Sequence, residues 1–337
     1  MVPQRFQTNI NRHLGQYFKK KAKEVQNDTI VLELVHQIAD VTLRGGDRLR
    51  PFMGQLGYTA GQGKNEASIL PALLALELTH TFALIHDDIM DRASVRRGGP
   101  TIPAHFTQDS RTSHHDAISL AILAGDLACV WADELMDEVQ NRSAKTQFNV
   151  MRQEVIGGQT LDVTMSETVE PNDILRMYML KTARYSLTHP LVIGALLAGE
   201  KTSASLLHAL HQYGDAIGIA FQLRDDWLGV FGDAKTFGKS TSSDIEEGKW
   251  TLLASYTKEQ LNARDTKRLV SLYREKNMTA VEVDWVRQQM QKTGAKRHVE
   301  QMMVDLVVQG NKGIEHCAEP IKKQLMDIAR YLITRAT

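Results

Sequence analysis

The chain has 337 residues, with Lys+Arg 40 against Asp+Glu 40 and 42% hydrophobic residues, so it is long enough for a sizeable core and carries no broad basic field for nucleic acid or an anionic membrane. Its only cysteines, Cys129 and Cys317, stand in no CxxC arrangement, which excludes a disulfide framework or a cysteine metal site and fits a reducing compartment. The start, Met1-Val2-Pro3-Gln4-Arg5-Phe6, runs into a charged amphipathic pattern and not a signal peptide, and no uncharged apolar stretch reaches the length of a membrane span, so a cytoplasmic protein without stable membrane insertion is expected.

In chain order, Lys19-Lys20-Lys21-Ala22-Lys23 reads as a solvated helix face. The glycine-rich element Arg44-Gly45-Gly46-Asp47-Arg48-Leu49-Arg50-Pro51 follows; its glycines let backbone approach an anion, although so short an element also suits a plain turn. Leu73, Leu74, Leu76, Leu78, Phe82, Leu84 and Ile85 predict one helix leading to Asp87, with Pro71 near its start, where proline is tolerated. Similar periods predict helices from about Ser113 to Val139, Asn172 to Leu197 and Ser203 to Phe231. Pro51, Pro100, Pro103, Pro171 and Pro190 fall mostly between such segments. From about Lys258 the pattern is amphipathic and helical, with no chemistry in its residue types. Strand alternation bounded by hairpin signals is lacking, so the expectation is an all-α chain forming one domain over residues 1–337, a large helical bundle.

Two aspartate clusters end the longest apolar patterns: Asp87-Asp88-Ile89-Met90-Asp91 and Gln222-Leu223-Arg224-Asp225-Asp226. A carboxylate cluster against hydrocarbon must be hydrated, paired or metal-bound. Residues i and i+4 lie one turn apart, so Asp87 and Asp91 share a face, with Asp88 about a quarter-turn aside. Mg²⁺ suits such a pair, because it commonly takes one or two carboxylates plus waters and substrate phosphate oxygens; an exposed acidic helix end is the plainer reading. Arg96-Arg97, in Arg92-Ala93-Ser94-Val95-Arg96-Arg97-Gly98-Gly99-Pro100, places two guanidinium forks on a Gly-Pro-terminated loop, where they can serve different phosphates or form a solvated basic turn.

With Leu84-Ile85-His86-Asp87-Asp88-Ile89-Met90-Asp91, Arg96-Arg97-Gly98 and Phe221-Gln222-Leu223-Arg224-Asp225-Asp226, the chain resembles the trans-prenyl diphosphate synthases, the head-to-tail isoprenoid chain-elongating enzymes. Further matches are Gly45-Gly46 with Arg50, Glu77 with His80, Gly125-Asp126, Gly158-Gln159 with Asp162, Lys181-Thr182, Gly238-Lys239, Asp244 and Lys249. Asp225-Asp226-Trp227-Leu228-Gly229-Val230-Phe231-Gly232-Asp233 is similar to the bacterial geranylgeranyl branch, with glycine where many relatives have a third aspartate.

The resemblance implies an isoprenoid synthase helical bundle around a central cavity, a homodimer, and Mg²⁺, three ions per site with substrate bound and Mn²⁺ able to substitute. The implied reaction joins isopentenyl diphosphate to a dimethylallyl, geranyl or farnesyl diphosphate by ionisation, condensation and proton elimination. It implies Asp87, Asp91 and Asp225 as metal ligands, with Asp88 and Asp226 in support. Arg96, Lys181 and Lys239 match the grip on the allylic diphosphate, while Arg50, His80 and Arg97 match that on isopentenyl diphosphate. Lys249 is a further substrate-binding match, Thr182 and Gln222 lie near the reacting carbons, and Gln159 near the allylic chain. Taken alone, His80 reads equally as a buried hydrogen-bonded histidine, and Lys181 and Lys239 as surface lysines.

Asp47 departs from the family, which carries lysine there. At an effective dielectric near 20 and about 5 Å, each unit-charge contact reverses at roughly 3 kcal/mol, so Asp47 is expected to turn from the substrate and pair with Arg44 or Arg48. Product length is expected from the helix before Asp87. Phe82, five residues earlier and so a rise of roughly 7.5 Å away, with Ala83 open beside it, is like family members that stop at the twenty-carbon geranylgeranyl product; Leu78 and Thr79 are alternative floor residues. Farnesyl diphosphate is the alternative product. Beyond the synthases, a terpene cyclase needs only one diphosphate site, and a regulatory synthase subunit typically lacks the metal-binding aspartates.

Overall fold

Side-chain caps open many of the helices. In the computed structural model, which describes residues 1–108, 112–199, 202–232, 242–275 and 277–334, the chain is helical nearly throughout, as expected. The helices α1 (Gln4–Glu24), α2 (Thr29–Leu43), α3 (Leu49–Ala60), α4 (Leu70–Met90), α5 (Ile102–Phe106), α6 (His114–Asp137), α7 (Arg142–Thr164), α8 (Pro171–Tyr178), α9 (His189–Leu197) and α10 (Ala204–Phe231) precede further helices at Ser243–Glu246, Leu252–Gln260, Ala263–Glu275, Ala280–Lys292, Ala295–Gly313 and Glu319–Thr334. Asp28 accepts from the Ile30 and Val31 amides to start α2, Ser113 from Asp116 to start α6, and Ser203 from Leu206 to start α10. Thr279 and Glu282 form a reciprocal capping box for Ala280–Lys292.

The chain divides into two compact units, one made of Val2–Phe148 with Pro190–Thr202, the other of Asn149–His189 with Ser203–Thr337 and Met1. In the first unit α4 lies against α6. Ala117, Ala121, Ala124, Gly125, Ala128 and Ala132 are buried along α6, and such small side chains let two helix axes approach. The stretch Glu66–Met90 is long and apolar enough to cross a membrane by composition, but it carries Glu77 and 61% of its most apolar window is buried inside the protein. In the second unit α10 packs on Ala295–Gly313 and on the segment after α8, around a core that includes Ile219, Leu223, Val230, Leu253, Leu269, Val286 and Val299. Each such side chain contributes about 1.5–3 kcal/mol when fully buried.

Two local features differ from the sequence expectation. The helix expected from Asn172 to Leu197 changes register: Met179–Thr188 is a π-helix, and the His189 amide bonds back to Arg184. Pro190 follows immediately and has no N–H to donate, so the shift leaves no further donor stranded there. The loop carrying the two arginines is a short hairpin, with Val95 opposite Pro100 and Arg96 opposite Gly99. Arg97 and Gly98 at its tip have φ of 51° and 74°, the pair of left-handed residues that a two-residue hairpin turn demands.

Candidate active site

The hairpin sends its two arginines to different places. Arg96 Nε and Nη2 both donate to Asp88 Oδ1, at 2.8 and 2.5 Å, and Nη2 reaches Asp87 Oδ2 at 3.5 Å. Asp88 is buried, Asp87 half-buried and Asp91 exposed. Burial opposes the Arg96 charge, but the bonds to Asp88 and the fields of Asp87 and Asp91 outweigh it and raise the guanidinium pKa. Asp88 is thus tied to a cation of the protein itself, and Asp87 and Asp91 are the more solvent-exposed carboxylates of the cluster.

Arg97 turns the other way. Its Nη1 donates to the Val41 carbonyl at 3.3 Å, and its Nη2 lies 2.6 Å from where a Cβ on Gly46 would sit. Gly46, at φ 98°, therefore meets both demands that favour glycine, left-handed backbone and close approach. Arg44 braces the hairpin by donating to the Arg96 and Pro100 carbonyls at 3.2 and 2.8 Å. His80 lies in the field of Arg50, Arg97, Arg48 and Arg96; burial first, and these cations second, hold its pKa well below the usual 6.5. The structure thus brings together Arg50, His80 and Arg97, and adds Arg48, which the motifs had not placed there.

The expected partners of Asp47 are already taken. Arg44 pairs with Asp40 at 2.8 Å and Arg48 with Glu77 at 2.5 Å, while Asp47 is exposed and its backbone carbonyl accepts from Gln7. The expected pairing with Arg44 or Arg48 is thus replaced by solvent exposure, and a carboxylate in water needs no counter-ion.

Neutral His80 has a thermodynamic consequence. Its folded pKa lies below the unfolded 6.5, so between the two values the unfolded chain binds a proton that the folded chain does not. This stabilising contribution is full above pH 6.5 and is lost as pH falls toward the folded value. The melting temperature should therefore drop more steeply from neutral pH to pH ~5 in the native chain than in His80→Gln; equal slopes by scanning fluorimetry would refute this.

In the second unit, a chain of side-chain bonds links the π-helix to α10. Thr182 Oγ1 donates to Gln222 Oε1 at 2.5 Å, Gln222 Nε2 donates to Asp226 Oδ1 at 2.8 Å, and the Tyr178 hydroxyl donates to Asp226 Oδ2. The Leu252 amide in turn donates to the Tyr178 hydroxyl at 3.1 Å. Burial, and then the Asp244 charge, push the Asp226 carboxyl up to about 7, against the opposing bonds from Tyr178 and Gln222 and the charge of Lys249. Asp225, half-buried, is the more open carboxylate of the pair. Gly229 faces Asp244 so closely that a Cβ there would lie 2.3 Å from Asp244 Oδ2; the missing third aspartate leaves a space that another carboxylate borders.

Lys181 pairs with Asp162, and its backbone abuts Gly158, where a Cβ would come within 2.4 Å of the Lys181 amide nitrogen. Gly158 is therefore what lets α7 press on the π-helix at Lys181. Gln159 is half-buried beside it, and Lys249 pairs with Glu247 at 2.9 Å. Lys239 lies outside the described residues. Tyr178 was not singled out from sequence, since an aromatic in an apolar run reads as core.

Metal fit follows from donor chemistry. Among the described residues no three His, Cys, Asp or Glu side chains form a ready cage; in the first unit Asp87 is half-buried and Asp91 exposed, and in the second unit Asp225 is half-buried. Hard oxygen donors in small number suit Mg²⁺ completed by water and phosphate, and do not suit Zn²⁺.

On α4, Phe82 is half-buried with its ring edge-on to His86, centroids 4.9 Å apart, while Leu78 and Thr79 are fully buried. Ala83 is half-buried one position on, nearer the face of Asp87.

The sequence profile of the family described as Polyprenyl synthetase matches residues 32–290. The chain belongs to the polyprenyl synthetase family. It is an all-α short-chain trans-prenyl diphosphate synthase, a prenyltransferase. It is 32% identical over 300 residues to a geranylgeranyl diphosphate synthase of Methanosarcina mazei, covering 86% of each chain. It is 36% identical over 237 residues to a geranylfarnesyl diphosphate synthase of Aeropyrum pernix, covering 67% of this chain and 70% of that one. The crystal structure of a geranylgeranyl pyrophosphate synthase from Corynebacterium glutamicum, complexed with isoprenyl diphosphate and magnesium, superposes with a TM-score of 0.91 at 31% identity, over 99% of this chain and 100% of that one.

Proposed function

We propose that this synthase extends dimethylallyl, geranyl or farnesyl diphosphate with isopentenyl diphosphate to geranylgeranyl diphosphate, with residues 1–337 acting as one catalytic domain. The carrying observation is the opposite course of the hairpin arginines: Arg96 joins the carboxylates Asp87 and Asp88, whereas Arg97 joins Arg48 and Arg50 around neutral His80. Two differently charged environments suit two diphosphates, one bridged by metal and one held by guanidinium groups directly. A terpene cyclase has no use for the second.

When bound, Mg²⁺ would neutralise charge on the departing diphosphate as a Lewis acid; three ions, replaceable by Mn²⁺, fit the reading, with Asp87, Asp91 and Asp225 as ligands. Arg96, Lys181 and Lys239 hold the allylic diphosphate in this reading, with Lys249 nearby. Arg50, Arg97 and His80 hold isopentenyl diphosphate so that its double bond faces the allylic carbon as the carbon–oxygen bond breaks. Thr182 and Gln222, fixed to each other and to Asp226, present oriented dipoles near the developing cation. The lost proton passes to the released diphosphate. The reading requires that water be kept from the cation.

A homodimer is part of the proposal, supported by the exposed Ile122, Leu123 and Val130 of α6. A cytoplasmic location is proposed as well. The deciding experiment incubates the isolated chain with Mg²⁺, labelled isopentenyl diphosphate and each allylic primer in turn. Label in a twenty-carbon product is expected; no incorporation would remove the synthase reading and favour a regulatory subunit, and a fifteen-carbon end product would favour farnesyl. Asp47→Lys should lower the KM for isopentenyl diphosphate by about two- to five-fold, a modest gain because the position is exposed to solvent. Steady-state titration checks this, and an unchanged or higher KM counts against it.

A further inference from the structure

We infer that the product-length stop is a three-residue device, in which Gly125 of α6 seats His86 and His86 holds the ring of Phe82. The inference rests on Phe82 being the residue that the growing chain meets. Phe82 and His86 are one turn apart on α4, with ring centroids 4.9 Å apart at 71°, an edge-to-face contact that limits how the phenyl ring can turn. His86 is itself fixed from the other helix, its Nε2 lying 3.2 Å from the Ile122 carbonyl oxygen and 3.7 Å from Asp126 Oδ1.

The seat exists because residue 125 lacks a side chain. A Cβ there would lie 2.2 Å from His86 Nε2 and 2.3 Å from Cδ2. Elsewhere α6 buries alanines at 117, 121, 124, 128 and 132 and the larger Trp131, Leu135 and Met136, so its buried positions tolerate a side chain where 125 does not. Glycine is among the least favourable residues for a helix interior, and here the imidazole ring accounts for it. A ring braced in this way ends elongation at one length, whereas an unbraced ring swings aside and lets a further unit add. His86 and Gly125 are thus specificity-determining positioning residues, which act through Phe82.

The test compares products of Phe82→Ala, Gly125→Ala, His86→Leu and the Phe82→Ala/Gly125→Ala pair at saturating substrates. Gly125→Ala and His86→Leu should each raise the ratio of longer to normal product by about two- to ten-fold, the range an edge-to-face contact is worth. The KM for isopentenyl diphosphate and the rate of the first condensation should stay within about two-fold, a split that general loosening of the fold would not give. Gly125→Ala should add nothing once Phe82 is alanine. If Phe82→Ala lengthens the product but Gly125→Ala and His86→Leu do not, the inference fails and Phe82 keeps its role. If Phe82→Ala leaves the profile unchanged, the reading of Phe82 fails first. An equal effect of Gly125→Ala in both backgrounds would also overturn the inference. Should Gly125→Ala not fold, His86→Leu alone carries the same comparison.

Discussion

Asp87→Asn is expected to lower kcat by roughly 10³-fold while the chain stays folded, because it removes one of the charges that would hold metal where the diphosphate departs, an effect of several kcal/mol at the transition state. Asp87 is half-buried, lies 3.5 Å from Arg96, and Asn is isosteric with it, so the chain should remain folded. Asp88→Asn provides the contrast. Asp88 is 2% exposed and takes both donors of Arg96, so its loss should appear mainly as a lower melting temperature. Steady-state kinetics across an Mg²⁺ titration, with circular dichroism melting of both variants, makes the comparison. A kcat for Asp87→Asn within ten-fold of the native value would remove Asp87 from the metal site.

Glu77→Gln should destabilise the fold by about 3–5 kcal/mol, the usual effect of stripping one partner from a buried ion pair. The Arg48 and Glu77 side chains are 0% and 3% exposed and meet at 2.5 Å. Arg48 also donates to Asn11 Oδ1 at 2.7 Å and to the Thr42 carbonyl at 2.6 Å. It sits at φ 54°, left-handed for a residue with a full side chain, a conformation that costs of order 1–3 kcal/mol and persists only when its surroundings hold it. Against a typical net stability of about 5–15 kcal/mol, losing Glu77 should move the urea midpoint markedly. The paired change Arg48→Met with Glu77→Leu should recover much of that stability, since apolar packing can replace a buried pair. It should raise the KM for isopentenyl diphosphate, because one of the four cations around His80 would be gone. A Glu77→Gln midpoint indistinguishable from native would mean that the pair is not buried in solution.

Local chemistry made the helices legible. Apolar period and caps such as Ser113 and Ser203 mark where α6 and α10 begin, because helix formation depends on neighbours three and four residues away. The π-helix at Met179–Thr188 was not legible, because the same apolar run satisfies either register until Gly158 and Pro190 bear on it. The two-residue hairpin was missed for its brevity, although its tip, Arg97-Gly98, carries the turn chemistry. Asp47 shows the limit of pairing residues by charge: Arg44 and Arg48 were the nearest cations in sequence, yet Asp40 and Glu77 reach them first.

The sequence alone determined the helical class, the synthase family and the residue types of the site, since periodicity, caps and ordered motifs are local properties that survive without coordinates. Only the tertiary structure decided how the arginines divide: Arg96 onto carboxylates, Arg97 under Gly46, Arg48 into a buried pair. It likewise decided that Asp226 is held by Tyr178 and Gln222, and that His86 rests in the gap at Gly125. These depend on distances between residues far apart in the chain, and such distances are set by packing, which no local pattern encodes.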